Sequence, residues 1–401
     1  MTKLQKLFRF EQASGLLIVA AILLGLVAAN SPLSALYEAV HHTPVHVGFG
    51  PLVLNKPLIG WINEGLMVFF FLLVSLEIKR ELLEGHLSTP RRAALPAFAA
   101  FGGMIVPAAI YAGLNWADPV AIRGWAIPTA TDIVLALGVL SLLGSRVPVS
   151  LKVFLTALAI FDDIGAVLII GLFYGDEISL VPLLLAAVAV AGLVLVNVLR
   201  VTRPAVYVVV GLVLWVAMLE AGVEAALAGV LIALAVPLHL PDSHVSSPLR
   251  ETERRLHPWA VLVIVPLFAF FNAGVAIDAS VSTSLFNSVS LGILGGLFVG
   301  KQIGVAGAAW LAVRLGLGQL PAGVSWGQIY GAALLAGIGF TMSLFVASLA
   351  FSDAALIASA KIAVLVASFL SAVAGLGVIW LTTRKSRQAQ TQAIALQELA
   401  P

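Results

Sequence analysis

The sequence predicts an all-α polytopic membrane protein with twelve transmembrane helices, built as inverted repeats, with its fourth and eleventh helices discontinuous. Three observations carry that reading. The 401-residue chain is 61% hydrophobic and 10% charged, whereas a soluble domain carries about 25% charged residues. Its apolar residues gather in runs bounded by charge, proline or glycine, and lysines and arginines concentrate in alternate connections between the runs. Two of the runs are interrupted, at Pro128 and at Gly337-Ile-Gly339. So little polar surface cannot cover a core in water. An apolar run of about 20 residues can instead cross a bilayer as a helix, because a helix satisfies every backbone polar group within itself.

The runs are 13–30, 58–76, 93–114, 125–144, 149–174, 180–199, 204–219, 222–237, 258–280, 288–311, 325–350 and 355–382. An even count puts both termini on one side. Of the 22 lysines and arginines, 17 fall in the two tails or in alternate connections, Lys152 lies in the first turn of the run that follows one of them, and only Lys56 and Arg123 lie in the opposite connections. Positive loops stay in the cytoplasm, so both termini are expected there. The domain plan is a cytoplasmic N-tail (1–12), one transmembrane domain (13–383) and a polar, frayed cytoplasmic C-tail (384–401). Lys3, Lys6 and Arg9 precede the first run. More spans follow it, so it reads as a retained helix and not as a cleaved leader.

The far side has one long connection, 31–57. Gly50-Pro51 between two short apolar stretches is a candidate hairpin tip, and an exposed edge there can pair with a second copy. His41, His42 and His46 share this loop and read first as solvated side chains, with metal binding as the alternative. The chain has no cysteine, which excludes disulfides, thiolate metal sites and thiol catalysis.

The informative residues are charges inside the apolar runs. Each costs at least about 2.5–3.5 kcal/mol near the bilayer centre and marks a functional site by default. Asp162-Asp163 sits mid-run. Neighbouring helix positions are about 100° apart, so both carboxylates can border one cavity. Two carboxylates so close resist ionising together, and such a pair holds a proton near neutral pH and gives it up to a cation. Asp132 follows Ala126-Ile-Pro-Thr-Ala-Thr131, where Pro128 removes a backbone donor. There it can cap the next half-helix, whose dipole favours an anion, and also serve function. Gly292, Gly296, Gly300 and Gly304 recur every four residues beside Lys301. That bare face admits a close helix neighbour, and Lys301 is expected to point into the bundle towards an aspartate. The two interruptions fall in corresponding places, which suggests inverted repeats with the site between them. Lys361 in the last run can pair with an acid or reach an interface.

At these residues the sequence closely resembles the NhaA family of sodium/proton antiporters. The matching stretches are Trp61-Ile-Asn-Glu-Gly-Leu-Met-Val-Phe-Phe-Phe-Leu-Leu-Val, Glu77-Ile-Lys-Arg-Glu81, Ala130-Thr-Asp-Ile, Ala159-Ile-Phe-Asp-Asp-Ile-Gly, Leu256-His-Pro-Trp259, Pro266-Leu-Phe-Ala-Phe-Phe-Asn-Ala-Gly274, Gly300-Lys-Gln and Gly337-Ile-Gly-Phe-Thr-Met-Ser-Leu-Phe. The resemblance implies a non-enzymatic secondary transporter of the bacterial inner membrane. It would extrude Na+, and Li+, in exchange for H+ by alternating access, electrogenically and under pH control, in the service of pH homeostasis. It implies that Asp162 and Asp163 carry the exchanged ions, with Asp163 the direct sodium ligand. Thr131 and Asp132 would contribute to the site and compensate the dipoles of the crossed broken helices, and Lys301 would be the counter-charge to Asp162. It ties Glu77, Arg80, Glu81, Glu253 and His257 to pH response, and it implies a homodimer joined through the 45–57 hairpin. No cofactor and no nucleic acid is implied. Glu64 stands where the motif often has Asp. Glu224 and Arg254 stand where the best-known members have histidines, which bears on the pH set-point.

The residues themselves leave other chemistry to weigh. Lys301 reads equally as a fixed counter-ion or as a proton carrier. A retinal-type pump also uses an intramembrane lysine with aspartates, but twelve runs and tandem aspartates suit it poorly. The Gly-x-Gly-Asp signature of an intramembrane aspartyl protease is absent. A symporter or a cation channel could share the acidic site.

Overall fold

Long apolar runs become long helices. The computed structural model describes residues 3–49, 52–85, 87–175, 179–239, 247–277 and 285–398. Among these, nine helices are long and apolar enough to cross a membrane: Gln12–Ala29, Leu58–Leu83, Pro90–Asn115, Val149–Phe173, Leu180–Val198, Pro204–Ala221, Pro248–Ala273, Ser288–Arg314 and Ala354–Arg384. Two further pairs pass the same test only together. Ala121–Thr129 and Ile133–Ser141 are bent by 42° at their break, and Trp326–Leu335 and Phe340–Ala350 by 43°. They occupy the fourth and eleventh runs.

The eighth run behaves differently. It holds only a nine-residue helix, Leu227–Ala235, about 14 Å long and too short to cross about 30 Å of hydrocarbon alone. Its first residues make a turn instead. Gly222 adopts φ 74°, Val223 bridges to Gly175, and Glu224 Oε1 accepts the N–H of Ala226 at 3.1 Å. The other end of the helix is firmly capped. Lys79 Nζ donates to Leu234 O and Val236 O at 2.7 and 2.6 Å, and Asn197 Nδ2 donates to Ala235 O at 2.6 Å. The C-tail also departs from expectation. The last helix continues through it, as Ala354–Glu398, because the tail is rich in Arg, Lys, Gln, Ala and Leu, all strong helix formers.

The chain divides into two compact units. The first comprises Met1–Leu16, Thr89–Asp162 and Ala279–Pro401, and the second Leu17–Ser88 and Asp163–Asp278. In the first unit the glycine stripe does what a bare helix face allows. A Cβ on Gly304 would collide with Gly102 O, and one on Gly102 with Gly304 O; Gly300 lies against Pro107 and Gly296 against Pro128. The helices Pro90–Asn115 and Ser288–Arg314 thus touch backbone to backbone. A Gly304→Ala substitution must push them apart, and a loss of about 1–3 kcal/mol is expected, read as a lower thermal unfolding midpoint in detergent. An unchanged midpoint would show that the seam yields without cost.

The second unit carries the far-side loop. Strands Pro44–Phe49 and Leu52–Pro57 pair antiparallel, from Pro44 opposite Pro57 to Phe49 opposite Leu52. The candidate tip Gly50-Pro51 lies outside the described residues. Trp61 Nε1 donates to Val45 O at 3.1 Å, and Lys56 pairs with Glu64, so the hairpin is tied to the helix that follows it. The short helix Ser34–His41 is pinned by Tyr37, whose hydroxyl lies 2.8 Å from Phe270 O. Leu193, Leu214, Met218 and Leu249 anchor this unit's core.

Candidate functional site

The two breaks build the site. In the fourth run, the tight helix Ala121–Thr129 contains Pro128 and stops at Thr129, and Ala130 is extended. Asp132 then caps Ile133–Ser141, with Oδ1 accepting from Leu135 N at 2.9 Å. In the eleventh run, Trp326–Leu335 begins with a capping box of Ser325 and Gln328. It gives way at Gly337 and Gly339, where a Cβ would strike Leu297 O or Ser343 Oγ, and the chain resumes as Phe340–Ala350. The interruptions meet directly. Asp132 N donates to Ile338 O at 2.6 Å, and Thr131 Oγ1 lies 2.8 Å from Ala336 O.

Four helix ends therefore converge within a few residues. Helix N-termini carry partial positive charge and C-termini partial negative charge, and each kind finds its opposite. Asp132 serves both N-termini: besides Leu135 N, its Oδ2 accepts from Thr341 N at 3.0 Å and from Thr341 Oγ1 at 2.6 Å. Lys301 serves a C-terminus, donating from Nζ to Thr129 O at 2.6 Å. Thr131 reaches the other C-terminus at Ala336 O.

Lys301 follows a π-helical turn, Gly295–Gly300, a widened coil frequent at functional sites. Its Nζ lies 2.6 Å from Asp162 Oδ2 and 3.0 Å from Thr131 Oγ1. Thr131 Oγ1 in turn lies 2.5 Å from Asp162 Oδ2. A hydroxyl has one proton to give, so having accepted from Lys301 it can donate to Asp162 or to Ala336 O, one at a time. Asp162, Lys301 and Thr131 are each 0% exposed. Asp162 Oδ1, equally buried, has no hydrogen-bond partner among the described residues. Asp163 is also buried, one position further along Val149–Phe173.

The structure thus gathers Asp162, Thr131 and Lys301 into one cluster and sets Asp132 beside it facing the helix N-termini. The residues that the family resemblance links to pH response lie together in the second unit. Arg80 pairs with Glu81 at 3.1 Å and with Glu253 at 3.2 Å. Glu77 interacts electrostatically with Glu253, Arg80 and Glu81, and His257 with Arg80. Arg254 pairs with Glu251 at 2.8 Å. At the rim of the same group Glu84 bonds Arg250 and His239, and the Arg250 guanidinium holds its carboxyl below the ordinary carboxylate range. Lys361 is half-buried in the last helix. Of the three loop histidines, His41 is buried, contrary to the solvated reading, while His42 and His46 are exposed. His41 turns in against Tyr37 and Phe271, His42 lies 3.4 Å from Glu38, and no group of three metal-binding side chains occurs among the described residues.

The model of the Na+/H+ antiporter 1 family matches residues 5–380. The chain belongs to this family. Among its relatives, the Na+/H+ antiporter NhaA of Rhodospirillum rubrum is 53% identical over 384 residues, covering 94% of this chain and 96% of that protein. The Na+/H+ antiporter NhaA of Pseudomonas putida strain GB-1 is 52% identical, over 95% of this chain and 98% of that protein. The Na+/H+ antiporter NhaA 1 of Syntrophotalea carbinolica is 51% identical, over 94% and 96%.

Sequence reading missed several participants in this cluster. Thr129 and Ala336 enter through backbone carbonyls, which no residue type announces. Thr341 enters through both its N–H and its hydroxyl. Its place just after a double-glycine break was a readable signal, since a polar residue opening a half-helix offers donors to a buried anion.

Proposed function

We infer that this protein is a secondary transporter that exchanges sodium for protons, with Asp162 and Asp163 carrying the exchanged ions. The observation that carries the reading is Asp162 itself: a fully buried carboxylate whose Oδ2 is held by Lys301 and Thr131 while Oδ1 has no hydrogen-bond partner among the described residues. Sodium is a hard cation and takes oxygen ligands. A free carboxylate oxygen, a neighbouring carboxylate on Asp163 and the Thr131 hydroxyl supply that chemistry. Protons compete for the same oxygens. Entering sodium displaces them, and on the other side of the membrane protons displace sodium, so competition for one site is enough to make exchange obligatory. Sodium, lithium and protons are cargo, and no resident cofactor is needed.

The finer reading is twelve spans in inverted repeats, with the short helix Leu227–Ala235 belonging to the eighth. Positive charge in alternate connections supports cytoplasmic termini in a bacterial inner membrane. The hairpin is assigned to a homodimer contact because it presents an open strand edge. The Glu77, Arg80, Glu81, Glu253 and His257 group is assigned to pH response because its charges interlock near the cytoplasmic end. Movement of more protons than sodium ions would make the exchange electrogenic.

The test is reconstitution into vesicles with an internal pH dye and addition of external sodium across a pH series. Sodium entry that drives protons out, raising internal pH, is expected. Acidification with sodium entry would indicate a symporter, and no sodium-coupled pH change would return the site to a channel reading.

A further inference from the structure

We propose that Gln302, held by Tyr330, is a positioning residue that aims Lys301 at Asp162. The inference rests on the antiport reading above. Gln302 follows Lys301 and lies about 100° around the helix, so it faces away from the buried cluster. Its side chain nevertheless has two specific partners. Gln302 Nε2 donates to Phe298 O at 2.5 Å, and Tyr330 Oη donates to Gln302 Oε1 at 2.6 Å. Phe298 belongs to the π-helical turn Gly295–Gly300. Such a turn displaces the regular backbone ladder, and it persists where another group compensates it. Gln302 closes back on this turn, immediately before Lys301 departs towards Thr129, Thr131 and Asp162.

Tyr330 gives the contact its reach. It lies on Trp326–Leu335, the first half of the broken eleventh run, and is 42% exposed. Polar groups facing hydrocarbon are costly unless paired, so the Tyr330–Gln302 bond is favoured over two separate side chains. The far end of that half-helix touches the ion cluster through Ala336 O and Thr131. Trp326–Leu335 is therefore linked to the Lys301 site twice, once through Thr131 and once through the turn that orients Lys301. A shift of this half-helix against Ser288–Arg314 would loosen the aim of the ammonium group.

A loosely aimed ammonium group leaves Asp162 Oδ2 and Thr131 Oγ1 less firmly placed, so sodium meets a less well-ordered set of oxygens and binds more weakly. An interhelical side-chain hydrogen bond in a membrane averages about 0.6 kcal/mol, a factor of about three. Tyr330→Phe removes one oxygen from an exposed ring and should leave folding intact. Gln302→Leu removes both bonds at similar volume. In vesicles, each variant should raise the apparent KM for sodium about threefold. The rate at saturating sodium should not change. The double variant should be no worse than Gln302→Leu alone, because both act through one chain of bonds. An unchanged KM, a fall in maximal rate alone, or additive effects in the double variant would each overturn the inference. Wild-type exchange beside unaltered variants would overturn it alone, whereas a wild-type protein showing no exchange would overturn the antiport reading and this inference together.

Discussion

An Asp163→Asn protein in vesicles should leave internal pH unchanged when sodium is added, at every pH where the wild type responds. The substitution keeps size and one acceptor oxygen but removes the charge. Asp163 is 2% exposed, so little water is present to replace that charge. Two unit charges 4 Å apart interact by about 4 kcal/mol at an effective dielectric of about 20, which converts to about a thousandfold in sodium affinity. Asparagine also cannot bind and release a proton, so the variant loses both halves of the exchange. Asp162→Asn should be equally silent for a different reason. It leaves the Lys301 ammonium 0% exposed without the carboxylate that lies 2.6 Å away, and an uncompensated buried charge costs about 3–5 kcal/mol. The Asp162 variant should therefore lose stability as well as transport. Equilibrium sodium binding measured beside thermal unfolding separates the two. Robust sodium-driven proton movement by Asp163→Asn would remove that residue from the ion path.

What the sequence made legible follows from cost. A charge inside an apolar run is expensive enough to be rare, so Asp132, Asp162, Asp163 and Lys301 stood out from 401 residues without any structure. The glycines spaced four apart beside Lys301 likewise announced a close helix contact, because only backbone can meet backbone at that distance. The breaks at Pro128 and Gly337-Ile-Gly339 were visible as lost donors and missing side chains. What stayed hidden is long-range geometry. Nothing in the sequence says that Asp132 accepts from Thr341, a residue 209 positions away, or that Ala336 O lies beside Thr131. The short eighth helix was hidden for a local reason: an apolar run does not show that Gly222 to Ala226 make a turn. The helical C-tail was misread because polarity was taken for fraying, when its residues favour helix.

Asp132→Ala should be the most destabilising single substitution in the first unit outside the Asp162–Lys301 pair. The carboxylate is 2% exposed and accepts from Leu135 N, Thr341 N and Thr341 Oγ1. Alanine leaves these donors buried without an acceptor. One orphaned donor costs about 1–3 kcal/mol, and loss of an N-cap typically costs about 1. Here one side chain caps two helices, and the favourable dipole interaction is lost at both ends. A total of about 3 kcal/mol or more is expected, even after crediting relief from burying a charge. The ranking of variants is more diagnostic than the total. Asp132→Asn keeps one acceptor oxygen, enough for either Leu135 N or Thr341 N, and presents an amide donor to the other. The Thr341 hydroxyl can rotate to accept from that amide, but the backbone N–H cannot. Asparagine should therefore fall between wild type and alanine, and Thr341→Val, which keeps both backbone donors satisfied, should be milder than either. Thermal unfolding midpoints should rank wild type, Thr341→Val, Asp132→Asn, Asp132→Ala from highest to lowest. If Asp132→Asn and Asp132→Ala unfold together near the wild-type midpoint, capping is not what fixes this carboxylate in place. Asp132 would then belong with Asp162 and Asp163 as a group kept for the ions it meets.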